Sequence, residues 1–229
     1  MTETLLYALI LIPCLIIAIV FHEVAHGWVA LMLGDPTAKE RRRLTLNPLR
    51  HLDPIGTVIL PGFLALTGLP VFGWAKPVPV DQARLDNPRY GMMAVAAAGP
   101  ATNFVLAGIG AVLAGLLLAL APAPEAGWSA LLATGLTSFI AINIFLALFN
   151  LLPIPPFDGS HIIEGLLPPA AARVYARLRP LGMPLLLLVL LVIPWLFPEL
   201  NLVENLVVPP WEWVYSRYLA LAAFIGGVA

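Results

Sequence analysis

Residues 5–26 read LLYALILIPCLIIAIVFHEVAH, and the reading of this stretch decides the fold. Positions 5–21 carry no charge. The apolar pattern runs on through Trp28, Val29 and Leu33 until Gly34-Asp35-Pro36 stops it with turn chemistry. A helix crossing a bilayer needs about 20 mainly apolar residues, so the stretch predicts a spanning helix. No basic segment precedes it, and charged, ligand-type side chains follow at once, which argues against a cleaved signal peptide.

The rest of the chain has the same character. Of 229 residues, 60% are hydrophobic and only 11% charged, with a net charge of −1. Soluble domains carry about 25% charged residues. The composition therefore excludes a soluble globular protein, a disordered chain and a nucleic-acid binder. Cys14 is the one cysteine, which excludes a disulfide framework and a cysteine-based metal cluster. Further apolar runs cover 91–124, with a turn at Pro122-Ala123-Pro124, and 126–157, which ends in the proline-rich stretch Pro153-Ile154-Pro155-Pro156. Residues 180–198 form a fourth candidate, and 213–228 a fifth that Glu212 and Arg217 weaken.

The uncharged stretch 55–74 is broken by Pro61, Gly62, Gly68, Pro70 and Gly73. If it enters and leaves by one face, every Lys and Arg except Arg217 lies on a single side of the bilayer. A full crossing would move Lys76, Arg84 and Arg89 to the other side. The positive-inside rule favours a re-entrant segment, followed by an extended 73–80 with alternate prolines. Such backbone at membrane depth must line protein or a wet cavity. The expected fold is an all-α polytopic membrane protein with about five transmembrane helices plus a re-entrant segment bearing a short extended or β stretch. Its N-terminus, with Glu3, lies outside, as do Glu125, Glu199 and Glu204. Residues 1–165 make the membrane core that holds the chemistry, and 166–229 the C-terminal membrane helices, with no internal repeat. The lipid bilayer is its constant partner, and no nucleic acid is expected.

His22-Glu23-Val24-Ala25-His26 is an H-E-x-x-H sequence on a helix. Histidines four apart share one face and can bind one metal ion, and the glutamate between them can act as general base. Ionisable groups inside a membrane helix are costly and point to function. A catalytic zinc usually keeps three protein ligands and an open position. Candidates for the third are Asp158, Glu164, His161, His51 and Glu40. Asp158 is the best on physical grounds: it stands where a long apolar run breaks at prolines, with Gly159 permitting a sharp turn. Its structural alternative is a cap for a helix starting near Ser160. Asn103, in Gly99-Pro100-Ala101-Thr102-Asn103, either donates to an oxyanion or ties two helices together, and small neighbours such as Ala98, Gly99 and Ala107 permit close helix approach.

Three blocks, HEVAH (22–26), GPATN (99–103) and NLLPIPPFDG (150–159), resemble those of the site-2 protease family of intramembrane zinc metalloproteases. The family pattern N-x-x-P-x-P-x-x-D-G is met by Asn150, Pro153, Pro155, Asp158 and Gly159, with Phe157 where Leu is common. The likeness covers about residues 5–165. It implies one Zn2+ held by His22, His26 and Asp158, with Glu23 as general base and Asn103 binding substrate or stabilising the transition state. It also implies a single-pass membrane-protein substrate, cleaved in or near its transmembrane helix, in a bacterial-type cell membrane with the active site toward the cytoplasm. With no room for a PDZ or nucleotide-sensing domain, and without the extra helix some relatives carry before HExxH, the chain is expected to be a minimal form. The 73–80 stretch either offers an edge to extended substrate or plugs the cavity. The alternative function is a membrane metal-ion transporter using the same His/Asp site.

Overall fold

Apolar sequence becomes helix wherever proline clusters do not interrupt it. The computed structural model describes residues 2–67, 73–121, 127–200 and 202–228. Helix α1 (Thr2–Met32) runs unbroken through both histidines. A short turn, α2 (Thr37–Glu40), follows, and then a π-helical turn (Pro54–Ile59) leads into α3 (Leu60–Thr67). Helices α4 (Pro88–Leu120) and α5 (Trp128–Asn150) are the other long ones. The remainder is α6 (Asp158–Leu166), α7 (Pro169–Tyr175), α8 (Gly182–Leu187), α9 (Ile193–Leu196), α10 (Leu202–Leu206) and α11 (Val208–Ile225). Among the described residues there is no strand. Leu5–Met32, Pro88–Leu120 and Trp128–Asn150 are long and apolar enough to cross a membrane. The chain is an all-α membrane protein.

Several boundaries differ from expectation for identifiable reasons. The 126–157 run is helical only to Asn150, because Pro153, Pro155 and Pro156 lack the N–H that would continue the ladder. Residues 182–196 rise as α8, a π-helical turn (Leu188–Val192) and α9 rather than one regular helix. Helix α11 begins at Val208, five residues before the expected Trp213, since Pro209 and Pro210 fit the first turn, where an N–H has no partner anyway. The 73–80 stretch is neither helix nor strand. Gly68, Pro70, the 122–124 turn and Glu125 lie outside the described residues.

The chain divides into two compact units interleaved in sequence. One comprises Met1–Ala18, Pro100–Asn150 and Leu202–Ala229. Its core is Ala107, Ala111, Ala114 and Ala222 of α4 and α11 with Ile140 and Ile144 of α5; the alanines let helices approach closely where lipid supplies no hydrophobic drive. Trp211 Nε1 donates to the Ala141 carbonyl at 3.0 Å and the Tyr218 hydroxyl to Phe104 at 3.1 Å. Leu5, Leu9, Ile12, Val105 and Ile109 are exposed, the expected state of side chains that face acyl chains.

The other unit comprises Ile19–Gly99 and Leu151–Asn201. Its apolar core includes Ala30, Leu85 and Val95. At the end of α1, the buried Asp35 accepts from the Thr37 backbone and hydroxyl and from Asp81 N–H at 2.7 Å. Burial raises its carboxyl, but the Thr37 and Asp81 bonds outweigh that and hold it below the ordinary carboxylate range. The two ends of the 55–74 stretch meet: Trp74 N–H donates to the Gly56 carbonyl at 3.1 Å, and the Thr57 hydroxyl to the Trp74 carbonyl at 3.0 Å.

Candidate metal centre

Helical spacing puts His22 and His26 on one face of α1, with ring centroids 4.7 Å apart and planes at 86°. Both are buried. The His26 Nδ1 lies 2.7 Å from the Val95 carbonyl. A carbonyl only accepts, so Nδ1 carries the proton and Nε2 of the neutral ring presents a lone pair.

Asp158 reaches the same point from α6. The prolines of 153–156 end the preceding helix, Phe157 is extended, and α6 begins at Asp158 with no side-chain cap. The capping alternative for Asp158 is thus not the arrangement found. Gly159 is required here, because a Cβ would overlap the Leu151 and Leu152 carbonyls. Asp158 Oδ2 lies 3.1 Å from His22 Nε2 and 3.4 Å from His26 Nε2. Candidate ligand atoms of the three residues all fall within 4.8 Å of one another. A carboxylate oxygen facing the bare nitrogen of His26 in a buried place is repulsive unless a cation or proton sits between them. Two imidazole nitrogens and a carboxylate are also the donor set zinc takes in catalytic sites. The residues fit the metal.

The other candidate ligands go elsewhere. His51 Nε2 lies 2.8 Å from the Thr45 carbonyl, and Glu40 pairs with Arg84 at 3.0 Å. Glu164 pairs with Arg179 at 2.5 Å. His161 lines a small polar cavity with Gln82, Arg89, Glu164 and Arg179, where burial and then Arg179 push its imidazole below its ordinary value.

Helix α4 passes so close that a Cβ at Gly99 would stand 2.5 Å from His26 Nε2 and 2.6 Å from His22 Nε2. Glu23 meets the 73–80 stretch: Val78 N–H donates to its Oε2 at 2.8 Å. That donor is a backbone group, so no side chain announces it in the sequence.

Asn103 belongs to the other unit, where it is fully buried. Its Nδ2 donates to the Ala18 carbonyl at 3.1 Å and to Asn143 Oδ1 at 2.8 Å. Asn143, also fully buried, returns its own Nδ2 to Phe139 at 2.9 Å. Sequence reading missed Asn143, although a lone asparagine in an apolar helix is itself a signal that a partner exists. Replacing either asparagine by Leu is expected to cost about 1 kcal/mol, read as detergent-micelle melting, with the double variant costing little more than either single one. Additive losses would show the two to be uncoupled.

Residues 10–193 match the sequence profile of the family described as "Peptidase family M50". A Bacillus subtilis protein named as a zinc metalloprotease (YwhC) is 41% identical over 213 residues, covering 88% of this chain and 92% of the relative. A Mycolicibacterium smegmatis protein named as a zinc metalloprotease (Rip2) is 34% identical over 188 residues, covering 80% of this chain and 68% of the relative. No solved structure matches the chain.

Proposed function

We propose, from the premise that the chain belongs to peptidase family M50 and is a membrane-embedded zinc metalloprotease, that it hydrolyses a peptide bond in or near the transmembrane helix of a single-pass membrane protein. One observation carries the reading: in a chain with 11% charge, two histidines and a carboxylate converge on one buried point with a glutamate beside them.

His22, His26 and Asp158 are the proposed zinc ligands. A zinc ion bound there supplies Lewis-acid polarisation of the scissile carbonyl and an acidified water. Glu23 takes the proton of the attacking water and hands it to the leaving amine. Val95, through its carbonyl, holds His26 in the ligating tautomer. Of the two roles open to Asn103, the geometry supports the helix-tying one, since both of its amide hydrogens are given to Ala18 and Asn143. Residues 1–165 contain every residue of this machinery.

We read five crossings, with 182–196 and 208–225 as the fourth and fifth, and a re-entrant 55–74. The bond from Trp74 to Gly56 supports the last, because a segment whose ends meet returns to the face it left. The Lys and Arg distribution then sets the metal-binding end of α1 toward the cytoplasm.

The test uses full-length protein in lipid vesicles with a synthetic single-span peptide bearing a fluorophore and quencher on either side of its span. Cleavage is expected to vanish on chelation and to return with one equivalent of zinc. Cleavage that persists in metal-free protein would overturn the reading.

A further inference from the structure

We infer that Arg43 is a positioning residue for the hydrolysis, fixing the 74–78 backbone so that Val78 N–H holds the Glu23 carboxylate in place. The inference rests on the role proposed above for Glu23.

In an extended chain the N–H and C=O of one residue face the same edge, and residues two apart share that edge. The bonds of this stretch follow that alternation. Trp74 N–H goes to Gly56, and the Trp74 carbonyl accepts from Thr57. Lys76 N–H donates to the His51 carbonyl at 2.9 Å, and the Lys76 carbonyl accepts from Arg43 Nη2 at 2.7 Å. Val78 N–H then meets Glu23 Oε2. The even-numbered edge is thereby fastened along its length, and Arg43 makes the fastening next to the glutamate.

Three features set Arg43 apart from its neighbours in Arg41-Arg42-Arg43. Its side chain is buried, 9% exposed, whereas Arg41 and Arg42 are exposed. Arg42 adopts a left-handed φ of 52°, a conformation that costs a non-glycine residue energy and persists where the surroundings demand it. That turn lets Arg43 N–H close on the Ala38 carbonyl at 2.9 Å and sends the next side chain inward. Burial disfavours the guanidinium's charge, and the Glu23 carboxylate counters that while Arg50 adds to it. A buried cation is retained where it has a specific acceptor. Here the acceptor is the Lys76 carbonyl, two residues from the amide that holds the general base.

Among the described residues the Arg43 side chain bonds to the Lys76 carbonyl and not to His22, His26 or Asp158, so its removal should move the orientation of Glu23 and leave metal binding alone. Arg43→Gln, Arg43→Lys and Arg43→Ala are compared in the zinc-loaded full chain. Hydrogen–deuterium exchange of the Val78 amide is expected to accelerate in the Ala variant, with zinc stoichiometry unchanged. On the fluorogenic single-span peptide, kcat is expected to fall about tenfold or more while KM stays within about twofold, and Arg43→Lys should recover part of the loss. If Arg43→Ala does not fold, the same two measurements on Arg43→Gln and Arg43→Lys decide. Unchanged Val78 exchange, or a loss confined to KM, overturns the assignment. Exchange reports on the clamp without any cleavage, so full activity in Glu23→Gln would sink the role of Glu23 while leaving the clamp measured.

Discussion

Glu23→Gln is expected to abolish cleavage while one zinc ion per chain stays bound. The substitution keeps the length of the side chain and an oxygen able to accept from Val78 N–H, so the backbone of 74–78 has no reason to move. It leaves His22, His26 and Asp158 untouched. What it removes is basicity. General acid–base catalysis contributes about 100- to 10,000-fold, and kcat should fall by a factor in that range with little change in KM. Metal content measured on the same preparation separates this loss from a lost metal. Residual activity within a few-fold of the parent would place the base on another residue.

Gly99→Ala is expected to have the opposite signature, losing metal first and activity in consequence. The added methyl would stand 2.5 Å from His26 Nε2 and 2.6 Å from His22 Nε2, the two nitrogens that face Asp158. Contacts that short do not persist, so either α4 backs away or the imidazoles rotate off the shared point. Rotation of His26 would also break its bond to Val95. Disturbing the groups that orient a metal ligand typically costs 10- to 100-fold in affinity or activity, and here the ligands themselves are displaced. Zinc titration of the purified variant, with circular dichroism to show that the helices persist, checks the outcome. Affinity within twofold of the parent would mean that α4 yields without disturbing the site.

Much of this was legible because charge is scarce. Glu23 and Asp158 stand out where apolar runs would otherwise continue, and four-residue spacing fixed His22 and His26 on one face. Turn chemistry at Gly34-Asp35-Pro36 and the prolines of 153–156 marked where α1 and α5 stop, although the last seven residues of the 126–157 run lie beyond the helix. The stretches 182–196 and 208–225 were harder, because prolines within apolar sequence permit several helical breaks of similar cost. Val78 could not be found at all, since a backbone donor has no residue signature. Arg43 was hidden for a different reason: a run of three arginines is explained by the positive-inside rule alone, and only the left-handed turn at Arg42 singles one out. Gly99 was visible as a small residue, but a small residue permits many close approaches, and which partner comes close depends on helix rotation.

The pairing of Asn103 with Ala18 and Asn143 also bears on how the protein is made. An amide entering hydrocarbon with its N–H groups unused is poorly tolerated. When α4 leaves the ribosome, the Ala18 carbonyl of α1 is already present, but Asn143 lies 40 residues further on. At about 5–20 residues per second, roughly two to eight seconds pass before the second acceptor exists. During that interval Asn103 has the Ala18 carbonyl to donate to but not Asn143. The link that joins α4 to α5 is therefore the last of the two to become available.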